Sequence, residues 1–261
     1  MNLKRWSGVA SVLVLGAAAA VSAPPASAQT TEAKEKPPMY SYVANWSIPR
    51  GQWSEMAKSD AADEKLMEKA FASGTIVAYG NDMSLIHQPD QSTHDGWWSA
   101  MSLAGVLNVL DQAYTSGSAT TPVLGTATKH WDSLYVSRYY NWHSGSWKGV
   151  YTHAASYTLK ADAPGDAVEK LTKNMIAPLM EKLLADGTIH EWEVDTEAIH
   201  TTNPNTFWLF YITANAEGLD KVNAALTDTL KANPLDGPAF ASMVDFSTHR
   251  DELARTNATY K

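Results

Sequence analysis

The string Thr93-His94-Asp95-Gly96-Trp97-Trp98 brings together the side chains best suited to chemistry in this sequence. An imidazole can act as a general base or as a ligand, and a carboxylate beside it can orient it for proton transfer. We therefore predict catalytic roles for His94 and Asp95, with His87 as the partner of His94. Adjacent residues on a strand point to opposite faces, however, which would separate His94 from Asp95. The alternative interpretation is a polar strand entry followed by tryptophans of the core.

A second pair of candidates follows from a repeated phrase. Ala-x-Gly-Thr-Ile occurs at 72–76 and again at 185–189, and Ile-His follows each copy, at 86–87 and at 199–200. Both intervals are 113 residues, and such self-similarity indicates an internal duplication. His87 and His200 are thereby predicted to lie at equivalent positions, as bases or as metal or haem ligands. The alternative is that both histidines only bond the backbone of a turn.

Aromatic residues supply the other candidates for ligand contact. The chain has 10 tryptophans, and large aromatic side chains both fill cores and line pockets for flat apolar molecules. The predicted ligand-binding residues are Tyr79, Trp97, Trp98, Trp192 and His200.

One strand-like segment carries acids at alternate positions. Glu191, Glu193 and Asp195 would share one face of that strand, opposite His190 and Trp192. Three carboxylates could bind a hard cation, but neither a calcium-binding loop nor a His-Glu-x-x-His helix accompanies them, so no metal site is predicted. A strand with acids on one face usually shows that face to water, and we expect this strand to do so.

The elements that must position these residues follow the same order in both halves of the chain: strand, helix, strand, strand, helix, strand. Predicted strands cover 39–48, 75–87, 94–102 and 131–142, then 150–161, 188–200, 206–214 and 240–248. Predicted helices cover 52–72 and 103–114, then a segment between Pro164 and Gly187, and finally 217–230. The middle of the first helix could equally hold a break, and Pro178 predicts a kink or a split in the third.

This order predicts the α+β class, with two tandem βαββαβ ferredoxin-like units forming a pseudo-dimeric α/β barrel. The units are assigned to 39–143 and 150–250, with a junction at 144–149 and a tail at 251–261. The element order resembles the dimeric α/β-barrel superfamily in its two-repeat form, which includes antibiotic-biosynthesis-type monooxygenases, EthD-like proteins and chlorite dismutase relatives. That resemblance implies a cavity for a flat organic ligand or haem, but no catalytic motif accompanies it.

The N-terminus has the layout of a secretory signal peptide, assigned to residues 1–28 and followed by a disordered lead-in at 29–38. Lys4 and Arg5 precede an uncharged apolar run at 9–21, and Ala26-Ser27-Ala28 offers a cleavage site. The run is shorter than a membrane span, and an uncleaved anchor is the alternative. We predict a protein exported to the periplasm or secreted, which is soluble once the leader is removed.

Composition narrows the classes of partner. The formal net charge is −8, and an acidic surface disfavours nucleic acid and anionic lipid. The chain has no cysteine, so an ordinary core must stabilise it without disulfides.

Two functional hypotheses remain open at this stage. The first is a pocket for a small aromatic or apolar molecule or for haem in a monooxygenase-like enzyme. No metal-binding motif accompanies that pocket in the sequence. The second is a non-catalytic envelope protein that acts through protein–protein contacts. Two units in one chain complete a barrel internally, so either a monomer or a homodimer is compatible with the sequence.

Overall fold

Eight antiparallel strands close a barrel in the computed structural model, which describes residues 34–261. The strands are β1 (Met39–Ser47), β2 (Ala78–Ser84), β3 (His94–Ala100), β4 (Lys129–Trp142), β5 (Gly145–Leu159), β6 (Ile189–Glu197), β7 (Thr206–Thr213) and β8 (Val244–Tyr260). Their order around the barrel is β1-β3-β2-β8-β5-β7-β6-β4, and β4 pairs with β1 to complete the ring. The predicted signal peptide lies outside the described residues.

The barrel consists of two equivalent four-stranded sheets. The first half contributes β4-β1-β3-β2 and the second contributes β8-β5-β7-β6, which are the same order of equivalent strands. The sheets join where β2 pairs with β8 and where β4 pairs with β6. Two ferredoxin-like units within one chain therefore form one barrel, as the element order predicted.

Helices cover the outer face of each sheet. They are α1 (Trp53–Ala72), α2 (Leu103–Ser116), α3 (Ala167–Leu171), α4 (Ala177–Ala185), α5 (Ala216–Ala232) and α6 (Asp236–Met243). In the first unit, Val106 and Val109 of α2 pack against Tyr42 and Trp98 of the sheet. The second unit has a larger core, in which Leu183 and other residues of α4 cover Trp192 and Phe207. Within residues 34–261, no helix is both long and apolar enough to cross a membrane.

The duplication is visible at the ends of equivalent helices. The Ser102 side chain caps α2 by accepting from the Gly105 N–H, and the Asn215 side chain caps α5 by accepting from the Gly218 N–H. At the other end, the residues after α1 and α4 include Gly74 and Gly187, both with a φ of +77°. L-residues rarely adopt that left-handed conformation, so glycine was retained in both copies.

Helix boundaries bear out the predicted split at Pro178 but not the alternative break in α1. Between α3 and α4, Thr172–Ile176 form a π-helical turn, and α4 begins at Ala177 with Pro178 in its first turn. A proline there loses no hydrogen bond, because the first N–H groups of a helix have no intrahelical partner. By contrast, α1 is continuous over 20 residues.

The predicted last strand is wrong in position. Residues 236–243 form α6, and β8 runs from Val244 to Tyr260 through the segment assigned to a tail. The polar side chains of this segment hide its alternation, and long-range pairing with β5 and β2 makes it a strand. β2 and β6 are shorter than predicted, which leaves His87 and His200 in the loops that follow them.

Candidate functional site

The barrel encloses a cavity of about 550 Å³ lined by the inward-facing residues of all eight strands. Strand alternation explains the lining, because every second side chain points inward. On β3, for example, Asp95, Trp97 and Ser99 line the cavity, while Trp98 and Ala100 belong to the core under the helices. A cavity of this size is in the range typical of small-molecule sites.

Seven carboxylic acids line this cavity. Six are at inward-facing positions: Asp82 on β2, Asp95 on β3, Glu191, Glu193 and Asp195 on β6, and Glu252 on β8. The seventh, Asp132 on β4, has its carboxylate 3.4 Å from the His130 ring. The expectation that the acidic face of β6 meets bulk water is wrong, because Glu191 and Asp195 are only 3% and 1% exposed. Closure of the two sheets turned that face into the barrel interior.

Asp195 has the least compensated charge in the cavity. Neither carboxylate oxygen has a hydrogen-bond partner. The nearby Ser137 hydroxyl donates instead to the backbone carbonyl of Val194, at 2.9 Å. Burial therefore raises the pKa of Asp195 to about 7. The carboxyl group is poised to exchange a proton at neutral pH.

The other inward acids reinforce this effect. Burial, together with the charge of Asp195, raises the pKa values of Glu191 and Glu193 well above their usual range. Asp82 and Asp95 are direct partners on adjacent strands. Burial raises the pKa of Asp82 to about 7, and burial followed by the charge of Asp82 raises that of Asp95. Without a cation, the interior thus favours protonated, neutral acids.

Aromatic rings form much of the remaining wall. They are Trp97, Trp131, Tyr135, Trp208, Phe210 and Tyr260. Tyr135 lies edge-on to Trp208, with ring centroids 5.0 Å apart. One end of the barrel is closed by Tyr260, which packs against Trp142 and Trp147. At the other end, the lining residues Thr201, Thr202, Arg250 and Glu252 are exposed, which marks the mouth of the cavity.

A second cavity, of about 390 Å³, lies outside the barrel and against α1 and α2. Tyr79, Trp98 and Tyr42 line it on the sheet side, and Asp60 and Asp63 line it from α1. Burial raises the pKa of Asp60 to about 7 and that of Asp63 to about 6. This cavity is smaller and less rich in acids than the barrel interior.

The structure separates the predicted catalytic residues. His94 is buried on the outer face of β3, where its Nδ1 is 3.0 Å from the Thr93 hydroxyl and its ring meets the edge of Trp53. The exposed His87 packs on the same indole, with ring centroids 5.4 Å apart. Asp95 faces the barrel cavity instead and cannot orient His94. Burial and the proximity of His87 lower the pKa of His94 to about 4, so the imidazole is neutral at pH 7.

The predicted ligand-binding residues divide among four environments. Tyr79 and Trp98 line the outer cavity, and Trp97 contributes to the lining of both cavities. Trp192 is buried in the core of the second unit. His200 is exposed in the loop after β6. Of the five, only Trp97 lines the barrel cavity.

The alternating acids of β6 are evident in the sequence, but their position inside the barrel cavity was not predicted. The acids of β6 have no counterparts in the equivalent strand of the first unit except Asp82, and Glu252 lies in a segment read as a tail. Each strand of a barrel has one face inside. Barrel topology together with three alternating acids could therefore have predicted that these acids face the interior. Among residues 34–261, no three His, Asp or Glu side chains converge closely enough to hold a metal ion.

Comparisons with known proteins agree with the fold. No protein-family model and no curated protein sequence matches this chain. A candidate monooxygenase from Lactobacillus acidophilus is similar in structure, with a TM-score of 0.62, 14% identity, and coverage of 86% of this chain and 97% of that one. An anthrone oxidase-like protein gives a TM-score of 0.51 at 9% identity, with 88% and 95% covered.

A chlorite dismutase from Candidatus Nitrospira defluvii, solved in complex with imidazole, gives a TM-score of 0.50 at 13% identity, with 84% and 90% covered. At these identities the likeness concerns the fold, and it extends over nearly the whole length of each relative. The strand order, the closed ring of two equivalent sheets and these structural neighbours agree on one assignment. The chain has the dimeric α/β-barrel fold, in the form that builds the barrel from two ferredoxin-like units of a single polypeptide.

Proposed function

We propose that this protein binds a small organic molecule with an aromatic or apolar body inside the barrel and acts on it as a monooxygenase-like enzyme. The observation that carries the proposal is a cavity of about 550 Å³ whose wall combines six aromatic rings with unpartnered carboxyl groups. The cavity is neither purely apolar nor filled by the protein's own indoles. Such a wall supplies both a binding surface and a group that can transfer a proton.

Haem does not fit the residues of the barrel cavity. Haem iron is held by His, Cys, Met or Tyr side chains, and only Tyr135 and Tyr260 of these types line the barrel cavity. Burial raises the pKa values of both phenols, which disfavours the phenolate ligand. The inward acids also offer no positive charge to pair with the haem propionates.

The outer cavity offers His130, but its two ring nitrogens are already engaged. Nδ1 lies 2.9 Å from the Asn45 carbonyl oxygen, and Nε2 lies 3.4 Å from an Asp132 oxygen. The ring is also stacked on Trp46, with centroids 3.5 Å apart. The reaction proposed for the barrel cavity therefore uses only the side chains that line it.

The oxidation that suits these side chains begins with proton abstraction from an activated methylene group. Asp82, with a pKa of about 7 and one buried oxygen without a hydrogen-bond partner, is present in part as the carboxylate at neutral pH and can accept that proton. Addition of molecular oxygen then converts the methylene to a carbonyl group. One oxygen atom enters the product and the other leaves as water with the two hydrogens, so no reductant is consumed. The names of two structural neighbours, a candidate monooxygenase and an anthrone oxidase-like protein, support this class of reaction.

Anthrone is a suitable first probe because it is flat, aromatic and carries an activated methylene group. Binding is measured through quenching of tryptophan fluorescence, and turnover through oxygen uptake. Ala154 lines the cavity on β5, so Ala154→Phe should block binding by filling the space, whereas Ala232→Phe on the exposed end of α5 should not. Asp82→Asn should retain binding and lose oxygen uptake. Binding that persists in a correctly folded Ala154→Phe protein would place the site elsewhere.

We also propose export, on the basis of residues 1–28. N-terminal analysis of the protein recovered from its native host should find a chain that begins at Gln29. An N-terminus at Met1 in that material would exclude the cleavage.

A further inference from the structure

The charges that line the barrel cavity are strongly unbalanced. Seven acids line it, six of them at inward-facing positions, and the one cationic side chain among the lining residues, Arg250, is exposed at the mouth. No lysine or histidine lines this cavity. A buried acid is costly when ionised unless a cation is near, so the empty cavity lacks the partner that would stabilise its carboxylates.

Asp195 shows independently that a partner group is missing. Its side chain is 1% exposed, lines the cavity, and has no hydrogen-bond partner at either oxygen. One oxygen each of Asp82 and Asp95 is likewise buried without a partner. Buried polar atoms are nearly always paired, and a ligand with N–H donors would satisfy these atoms.

The aromatic side chains stand directly beside the acids. In the pairing of β6 with β7, Asp195 lies opposite Trp208 and Glu193 lies opposite Phe210. Tyr135 contacts both of those rings, with centroid distances of 5.0 and 5.8 Å. An ammonium group gains from both neighbours, through charge-assisted hydrogen bonds to carboxylates and through cation–π attraction to rings.

Building on the proposed function, we propose that the molecule bound in the barrel is an organic cation, an aromatic amine whose ammonium group pairs with Asp195 and Glu193. Its ring would stack on the wall formed by Tyr135, Trp208 and Phe210. The absence of three convergent acids among the described residues argues against a bare metal ion as the occupant. An anionic molecule is disfavoured because it offers the buried acids no positive charge and would be repelled by any acid that ionises.

Binding of such a cation should be linked to proton release. The ionisable groups among the lining residues are Asp82 (β2), Asp95 (β3), Asp132 and Tyr135 (β4), Glu191, Glu193 and Asp195 (β6), and Arg250, Glu252 and Tyr260 (β8). The strands β1, β5 and β7 contribute no ionisable lining side chain. Because burial keeps these acids largely protonated in the empty cavity, a bound ammonium should ionise at least one of them.

Three probes with one aromatic body separate the charge from the shape. They are tyramine, which is cationic, tyrosol, which is neutral, and 4-hydroxyphenylacetate, which is anionic. Titration calorimetry at pH 7.5 in two buffers of different ionisation enthalpy gives both the affinity and the number of protons released. We expect tyramine to bind about tenfold or more tightly than tyrosol, since a hydrogen bond to a charged group has roughly that worth. The anion should bind most weakly, and tyramine alone should release about one proton.

Two variants assign the preference to the cavity. Asp195→Asn should remove most of the tyramine preference while leaving tyrosol affinity within about twofold. Asp220→Asn, on the exposed surface of α5, makes the same change in net charge and should leave the preference intact.

The possible results fall into separate classes. Equal affinity for tyramine and tyrosol, or an unchanged preference in Asp195→Asn, would overturn the assignment of an organic cation while leaving a small-molecule cavity in place. Failure of all three probes to bind, together with failure of anthrone, would overturn the proposed function itself.

Discussion

The uncompensated burial of Asp195 predicts that this protein is less stable at pH 8 than its surface charge would suggest, and that one amide substitution reduces the loss. In the unfolded chain the Asp195 carboxyl ionises near its usual pKa of 3.8, whereas in the folded protein burial raises the pKa to about 7. Between these values the folded state holds a proton that the unfolded state has released. Stability contributed by this group is therefore highest in acid and falls as the pH rises.

The magnitude follows from the two pKa values. With 3.8 for the unfolded chain and about 7 for the folded one, linkage gives a cost of about 2 kcal/mol at pH 5 and about 4 kcal/mol at pH 8. The difference, about 2–3 kcal/mol, is the part of the pH dependence that Asp195→Asn should abolish. Asparagine has nearly the same shape and cannot ionise, so the comparison isolates the proton.

The assay is urea unfolding of wild type, Asp195→Asn and Asp220→Asn at pH 5 and pH 8. Buried histidines also titrate in this range, and their effect has the opposite sign, so the decisive quantity is the difference between variants. Relative to wild type, Asp195→Asn should gain up to about 2–3 kcal/mol in the free energy of unfolding on going from pH 5 to pH 8. Asp220→Asn should show no such gain. If the two variants had the same pH dependence, the interpretation of Asp195 as an uncompensated buried acid would be refuted.

Three further predictions test other parts of the structure. Burial lowers the folded pKa of His94 to about 4 from 6.5, so the free energy of unfolding of wild type should fall by up to about 3 kcal/mol between pH 6.5 and pH 4. In urea unfolding, His94→Gln should lose less stability over that range. His200→Gln, in an exposed loop, should match wild type. A Cβ at Gly80 would lie 2.5 Å from the Trp97 ring and 2.6 Å from the Asn257 carbonyl oxygen, so Gly80→Ala should destabilise by about 1–3 kcal/mol in urea unfolding, whereas Gly96→Ala has open space and should be tolerated. The Glu197 carboxylate accepts from the backbone N–H groups of Thr201 and Thr202, at 2.8 and 3.0 Å. Glu197→Gln should therefore increase hydrogen exchange at those two amides; unchanged exchange would show that the carboxylate does not order this loop.

Local pattern was enough to predict most elements of this protein because the two halves repeat one another. The glycines that end helices at 74 and 187 are clear local signals, and the duplication allowed each half to support the interpretation of the other. The last strand was misplaced because its polar residues show no apolar alternation, and only its pairing with β2 and β5 defines it.

The candidate site was harder to predict than the fold, for a reason visible in β3 and β6. Alternation correctly separated His94 from Asp95 and grouped Glu191, Glu193 and Asp195, but it cannot say which face of a strand meets water. His87 and His200 drew attention through the repeat, yet both lie in loops outside the barrel cavity.

The sequence by itself determined the element order, the duplication and the alternation of acids and aromatic residues along each strand, since these depend on local backbone geometry and spacing. Only the tertiary structure decided that the acidic face of β6 points inward, because that outcome requires two sheets, distant in sequence, to close on each other. Closure removes water from the carboxyl groups of both halves at once and raises their pKa values together. The chemical character of the cavity therefore arises from burial, which no single segment of the chain specifies.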